Sequence, residues 1–514
     1  MRRMIFSLVP LVVLCPLSGI ANSSPAGTVI DVGSKKQLFI DDWFVESRHG
    51  VRLTVNPPRK TRERNLVPGP DRPWEAVRVG YPCTIMEDQG KFRMWYDAMN
   101  DRQPEDRLPY RTVCYAESDD GIRWRKPVVG AYEFRGSRQN NISIPTAPGS
   151  VFIDPNAPPE ERYKYFGRNR VAMLEDRVSG AGSWVYASAD GFSFTPLYGR
   201  PATRQISDTH DVAFWDPGLG KYVAYTKYIG EFDSRGVLVR PEIPAGVRKG
   251  RKIWRMTTDR LDRWPPARIV LAMDAGDPRD ADFYNSAALR YPYADRAYFV
   301  FPSAYYHFVG ESARRNDGTM DIQLAVSRDG VHFSRPSRSP FVRRGRDGSH
   351  DGGHMYMGRG MLRRGDELWM YYVGFDYTHG DRAALEQGGN GVISRLVLRL
   401  DGFVSADADY QGGEIISRPI RFEGSRLELN MDAGAGGSVR VGLLDPEGEP
   451  IPGYSLEESQ VLDGNSVRRL VSWRKGPDLS ALSGQPVRLH WKLRDVKLYA
   501  FQFRDLHGDG GPVE

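Results

Sequence analysis

Glu75, Asp208, Asp211, Asp282 and Asp351 are the side chains best placed to do chemistry. They sit in short polar motifs: Arg72-Pro73-Trp74-Glu75, Ser207-Asp208-Thr209-His210-Asp211, Asp282-Phe283-Tyr284-Asn285 and Asp351-Gly352-Gly353-His354. Cleavage of a glycosidic bond would use such a set. It needs two carboxyl groups in different environments, one ionised as nucleophile or base and one protonated as acid. Carboxylates close together push one pKa upward. The expected catalytic pair comes from Asp208, Asp282 and Glu75, with Asp211 and Asp351 tuning pKa or holding hydroxyls. Arg78, Asp97, Arg168, Asn169, His210, Lys227, Tyr284, Asn285, His307, His354, Asp376 and His379 are the expected substrate-binding groups. Rings, cations and amides of this kind suit a sugar's apolar face and its hydroxyls. The histidines match no metal-ligand spacing, and neither a metal nor an organic cofactor is expected.

These residues need a scaffold that repeats. An aromatic strand following a turn recurs five times: Lys91-Phe92-Arg93-Met94-Trp95-Tyr96, Arg162-Tyr163-Lys164-Tyr165-Phe166, Lys221-Tyr222-Val223-Ala224-Tyr225, Arg296-Ala297-Tyr298-Phe299-Val300-Phe301 and Glu367-Leu368-Trp369-Met370-Tyr371-Tyr372. Their starts lie 71, 59, 75 and 71 residues apart. A second signal follows: Ser118-Asp119-Asp120-Gly121-Ile122-Arg123-Trp124 is echoed by Ser188 to Phe194 and Ser327 to Phe333. Asp-Gly marks a tight hairpin because glycine accepts positive φ without a clash. Repeats at this period specify a five-bladed β-propeller over residues 37–403, each blade four strands, A to D, outward from the axis. The short A–B and C–D turns then share one face. The long B–C loops 97–111, 227–252 and 302–321 and the connections 130–148, 268–281 and 337–352 share the other, where the acids gather in one axial pocket.

After residue 403 the pattern becomes simple alternation, as in Val487-Arg488-Leu489-His490-Trp491, and predicts a β-sandwich over 404–514. Its scattered acids suggest an accessory domain. The short join at Val404 to Asp409 suggests a fixed interface. The chain is expected to be all-β.

Composition bounds the rest. Apolar residues make up 40% of 514, enough for sizeable cores, and 54 Gly and 36 Pro suit many turns. Arg2 and Arg3, the apolar run Ile5–Leu17 and Gly19-Ile20-Ala21 read as a signal peptide over residues 1–21. Export to the periplasm or the extracellular space is therefore expected, with no membrane span. Beyond it only Cys83 and Cys114 remain. They fall two strands apart in one blade, beyond disulfide reach, and are expected to be core thiols. Net charge is +6, with 71 basic and 65 acidic residues intermixed, so no nucleic-acid footprint is present. The final Asp505-Leu506-His507-Gly508-Asp509-Gly510-Gly511 reads as a frayed tail.

On the Ser-x-Asp-Gly-x-x-aromatic turns and on Lys91–Tyr96 and Asp208–Asp216, residues 37–406 resemble the five-bladed propeller glycosidases, the broad group of glycoside hydrolase families 32 and 43. The layout of a propeller followed by a sandwich resembles family 32. The resemblance implies catalytic acids at inner-strand ends of different blades, among Glu75, Asp208, Asp211, Asp282 and Asp351. The chain departs from family 32 at its first blade: no Asn-Asp-Pro-Asn-Gly type motif opens it, Asp154-Pro155-Asn156 falls instead at an A–B turn of blade two, and Arg-Asp-Pro and Glu-Cys motifs are absent. The implied activity is hydrolysis of an oligo- or polysaccharide. Two alternatives remain open: a phosphate-using glycoside phosphorylase, with Arg78, Arg168 and Lys227 holding phosphate, and a propeller that binds glycan without cleaving it.

Overall fold

A computed structural model describes residues 28–309, 316–381, 383–384 and 389–505. The expected signal peptide and nearly all of the terminal tail lie outside the described residues. The described residues are almost entirely β-structure, with a short helix at Arg170–Glu175. No helix among the described residues is long and apolar enough to cross a membrane.

The repeat forms successive antiparallel sheets. The first runs Arg78–Asp88, Lys91–Met99, Arg111–Ser118, Ile142–Ile144. The second runs Gly149–Ile153, Tyr163–Arg168, Ser183–Ser188, Thr195–Pro196, and the third Val212–Asp216, Lys221–Thr226, Ile253–Thr258, Arg268–Leu271. The fourth repeat is split into two three-stranded sheets. These are Ala281–Phe283, Ser303–His307, Gly318–Ile322 and Leu289–Arg290, Tyr298–Val300, Ala325–Ser327. The fifth orders His354–Met357, Glu367–Phe375 and Val392–Arg399, and takes its outer strand, Arg59–Lys60, from before the first sheet. Each aromatic segment is a second strand, as the sequence predicts. Two expected connections prove partly strand: Ile142–Ile144 and Arg268–Leu271 complete the first and third sheets, because their apolar faces find the third strand beside them.

The two sequence signals turn out to be partners. The indole of Trp95 in the first sheet donates to the carbonyl of Gly191 in the second at 2.9 Å. Tyr225 of the third donates to Gly330 of the fourth at 2.7 Å, and Tyr371 of the fifth to Gly121 of the first at 2.7 Å. The turns are pre-shaped for this. Ser118 Oγ and Asp120 Oδ1 accept from backbone N–H groups inside their own loop, and Gly121 sits at φ 71°. At the A–B turns the direction reverses: Asp154 accepts from Tyr222 of the next sheet at 3.0 Å, Asp216 from Tyr298 at 2.6 Å, and Asp88 from Tyr163. Neighbouring sheets are thus bonded through buried polar pairs, and the last is bonded to the first.

The second unit differs from the expected 404–514. Ile30–Gly33, Gln37–Leu38, Val45–His49 and Val51–Val55 pair with Ile420–Phe422, Pro486–Arg504, Gly413–Ser417 and Val404–Ala408. Together with Arg426–Leu444 and Asn465–Leu470 they form one ten-stranded hydrogen-bonded sheet, so residues 37–55 do not belong to the repeat. The paired Arg426–Leu444 and Pro486–Arg504 are 19 residues each and carry register shifts at Asn430/Met431 and Ala433/Ser438. Bulges bend such strands, so one strand can serve two sides of a core. That core includes Phe39, Phe44, Trp473, Trp491, Phe501 and Phe503. It is fastened to the repeat by Asp401, which accepts from Lys36 at 2.8 Å, Tyr291 at 2.7 Å and Asn430 at 3.1 Å.

Cys83 and Cys114 are buried free thiols on strands separated by Lys91–Met99, as expected.

Candidate active site

A cavity of about 90 Å³ lies where the repeats converge, lined by Arg78, Tyr81, Arg111, Asp208, Tyr284, His354, Tyr356, Tyr377, His379 and Asp381. First-sheet strands supply Arg78, Tyr81 and Arg111. The segment entering the third sheet supplies Asp208, and that following Ala281–Phe283 supplies Tyr284. His354 and Tyr356 share one face of a fifth-sheet strand by i, i+2 alternation.

Asp208 is the ionised centre. Its carboxylate, 44% accessible on the cavity side, meets the Lys227 ammonium at 2.5 Å. Burial by the surrounding protein works to raise its pKa. The charge and hydrogen bond of Lys227, with the charges of Arg168 and Arg251, outweigh that and hold it below the usual carboxylate range. Lys227, itself 96% covered at the side chain, stands 4.1 Å from the centre of the Tyr284 ring.

The imidazoles are neutral. His354 stacks on Phe375 at 4.3 Å and bonds through Nδ1 to the Tyr377 carbonyl at 2.6 Å. His379 Nδ1 pairs with the Tyr356 hydroxyl at 2.7 Å. Burial drives the pKa of His354 down to about 3 and of His379 to about 2. At neutral pH they offer hydrogen bonds and ring edges, not charge.

Arg111 is aimed by Asp97, whose two oxygens accept from Nε at 2.9 Å and Nη2 at 2.8 Å. Asp97 is fully buried, so it positions a guanidinium and does not itself line the cavity. A side chain at Gly80 would collide with that carboxylate, which keeps position 80 bare.

Several expected site residues lie elsewhere. Glu75 is buried in the turn Pro73–Glu75, where Oε2 pairs with Lys126 at 2.6 Å and Oε1 accepts from Tyr96. Burial raises its pKa against these partners, yet it is absent from the cavity wall. Asp211 accepts from Thr226 at 2.6 Å and Ser183 at 3.0 Å and ties the third sheet to the second. Burial pushes its pKa up to about 6. Asp351 is held by Lys60 at 2.6 Å and Tyr372 at 2.8 Å. Asn169 caps the helix Arg170–Glu175, and Asn285 accepts from the Ser303 backbone. His210 bonds to the Cys83 carbonyl at 2.6 Å, and burial lowers its pKa to about 4. Asp376 is exposed outside the wall. The common reason is that inner-strand ends alternate. A residue there faces either the axis or the seam between sheets, and sequence position does not say which.

Asp282 is intermediate. Its Oδ2 meets Arg251 at 3.0 Å and His307 at 3.2 Å, while Oδ1 is buried without a hydrogen bond. Burial acts upward, but His307 and Arg251 keep its pKa below normal. Arg251 lies 5.2 Å from the Tyr284 ring centre, so Asp282 stands one side chain behind the wall. Arg168 acts on Asp208 by charge without lining the cavity.

Tyr81, Arg111, Tyr356, Tyr377 and Asp381 were missed. Period-2 alternation from His354 to Tyr356 and back from His379 to Tyr377 would have found two of them. The arrangement provides an ionised carboxylate, a second carboxyl, two guanidinium groups and four phenol rings around one small space.

No protein-family model and no curated protein matches the chain. Among solved structures it resembles one titled a glycoside hydrolase, at 11% identity and a TM-score of 0.43, covering 67% of this chain and 92% of that one. It also resembles the Bombyx mori GH32 β-fructofuranosidase BmSUC1, at 10% identity and TM-score 0.39, covering 88% and 95%. A third is a structure titled for the GH130 family of mannoside phosphorylases containing glycoside hydrolases, at 16% and 0.39, covering 73% and 99%.

Proposed function

We propose that the chain is a five-bladed β-propeller glycosidase that cleaves a glycosidic bond in its axial cavity, with an accessory β-sandwich built from both chain ends. The observation that carries this reading is Asp208, held ionised by Lys227 in a cavity walled by the rings of Tyr81, Tyr284, Tyr356 and Tyr377. Tyrosine faces take the C–H side of a sugar, and Arg78 and Arg111 donate to its hydroxyls. Asp208 serves as nucleophile or base. Asp381, the second carboxyl on the wall, takes the proton-donor role, and Asp282 supports the Arg251 that neighbours Tyr284. The protein acts on glycan after export. Asp208→Asn and Asp381→Asn should each lower kcat by about 10²–10⁴-fold on a cleaved glycan, with the fold intact. Full activity of Asp208→Asn would overturn the assignment. Tight binding with no product across a broad glycan panel would favour a purely binding role.

Phosphorolysis is the second reading, favoured by Arg78 and Arg111 facing one cavity, since guanidinium forks suit phosphate. Turnover that requires inorganic phosphate and releases a sugar phosphate would select it.

A further inference from the structure

A second polar cavity, of about 370 Å³, is lined by Tyr306, Thr319, Asp321, Arg343, Arg344 and Gly345. That volume falls within the roughly 300–1,000 Å³ of small-molecule sites. In the fourth repeat Tyr306 is registered opposite Thr319, and Ala304 opposite Asp321, so both hydroxyls and the carboxyl project from one face. The other face of the same strand carries Tyr305, whose ring lies 5.1 Å from that of His379 in the axial cavity. One strand therefore separates two distinct sites.

The second cavity is chemically incomplete. Asp321 Oδ1 is buried and has no hydrogen-bond partner. Burial pushes its pKa up to about 7 against the opposing charges of Arg343 and Arg344. Native proteins rarely leave such a group unsatisfied without reason. The arginines stand on an anchored segment: Lys60 donates to the Arg343 carbonyl at 2.6 Å while also gripping Asp351, and Arg344 donates to the Gly352 carbonyl. Asp351 thus organises this cavity's wall and not the axial one.

We propose that this cavity is a separate subsite for a carboxylate-bearing sugar, its carboxylate on the Arg343–Arg344 pair and its hydroxyls donating to Asp321. A fully ionised anion such as sulfate would face the Asp321 carboxyl with no hydroxyl to donate. A neutral sugar would leave the guanidinium forks without their matching anion. A uronate satisfies both at once. The proposal does not depend on hydrolysis at the axis.

The test titrates the full chain with methyl β-D-glucuronide and with methyl β-D-glucoside by ligand-observed NMR. The two differ only in carboxylate against hydroxymethyl. The glucuronide should bind at least about tenfold more tightly, as a charge-assisted pair implies. Arg343→Ala should abolish that preference, and Arg343→Lys should keep part of it. Asp208→Asn should leave the preference for glucuronide over glucoside unchanged. Melting temperatures establish that each variant is folded. Equal binding of the two glycosides, full preference in Arg343→Ala, loss in Asp208→Asn, or displacement by equimolar inorganic sulfate would each overturn the proposal. No outcome depends on turnover, so failure of the glycosidase reading is separately visible.

Discussion

The Lys227 ammonium lies 2.5 Å from Oδ1 of Asp208, in the wall of the axial cavity. This pair holds Asp208 as an anion. Burial alone would push Asp208 toward its neutral form, and Lys227 is the largest influence against that. Lys227→Met should therefore raise the Asp208 pKa. The acid limb of kcat/KM should move to higher pH by about 1–3 units, the range for loss of one close opposite charge. A pH profile with an unmoved acid limb would show that Asp208 is not the titrating group.

Asp211 makes the opposite prediction, about stability. Its folded-state pKa, about 6, lies above the ordinary 3.8, so folding takes up a proton between those values. A raised carboxyl pKa means stability is lost as pH climbs from about 4 to 6 and stays lost above. Asp211→Asn cannot ionise and keeps partners for Ser183 and Thr226. Relative to the parent, it should gain up to about 3 kcal/mol between pH 4 and pH 7. Urea unfolding at both pH values measures this, and a constant difference would refute the buried-acid account.

The bond from Tyr371 to Gly121 joins the last repeat to the first. Tyr371→Phe would remove one of two donors to the Gly121 carbonyl, which keeps the Trp124 indole at 3.2 Å, and should cost about 0.5–1.5 kcal/mol. Because the pair lies at an outer turn and not on the cavity wall, KM should not change. Denaturation and steady-state kinetics on one preparation separate the two effects.

Truncation after residue 403 should fail to give a folded protein. It would leave Ile30–Gly33, Gln37–Leu38, Val45–His49 and Val51–Val55 without their partner strands and would remove Asn430 from Asp401. Exposed strand edges of that kind aggregate. Recovery of a soluble, cooperatively melting 1–403 fragment would contradict the pairing.

Much of the architecture was legible because its causes are local. The aromatic strands repeat at a nearly constant interval, and the Asp-Gly turns are shaped by their own Ser and Asp side chains. What could not be read is that these two signals bond to each other between sheets, as Trp95 does to Gly191. The partners are 96 residues apart, and no local rule relates them. The second unit was half legible for the same reason. Val487–Trp491 alternates visibly, but pairing of Gln37–Leu38 with Ala500 and Phe501 depends on where the two chain ends meet.

The site divides along the same line. Residue types and spacing marked Asp208, Lys227, Tyr284, His354 and His379, because the ends of repeated strands must converge on an axis. The sequence by itself determined that carboxylates, cations and rings would gather there. Only the tertiary structure decided which of them face the axis. Asp208 does, while Asp211, three residues on, turns into the seam between Ser183 and Thr226. On irregular backbone between strands, a few degrees of φ and ψ send a side chain toward the cavity or the core. That choice is made by which buried hydroxyl or cation is waiting there.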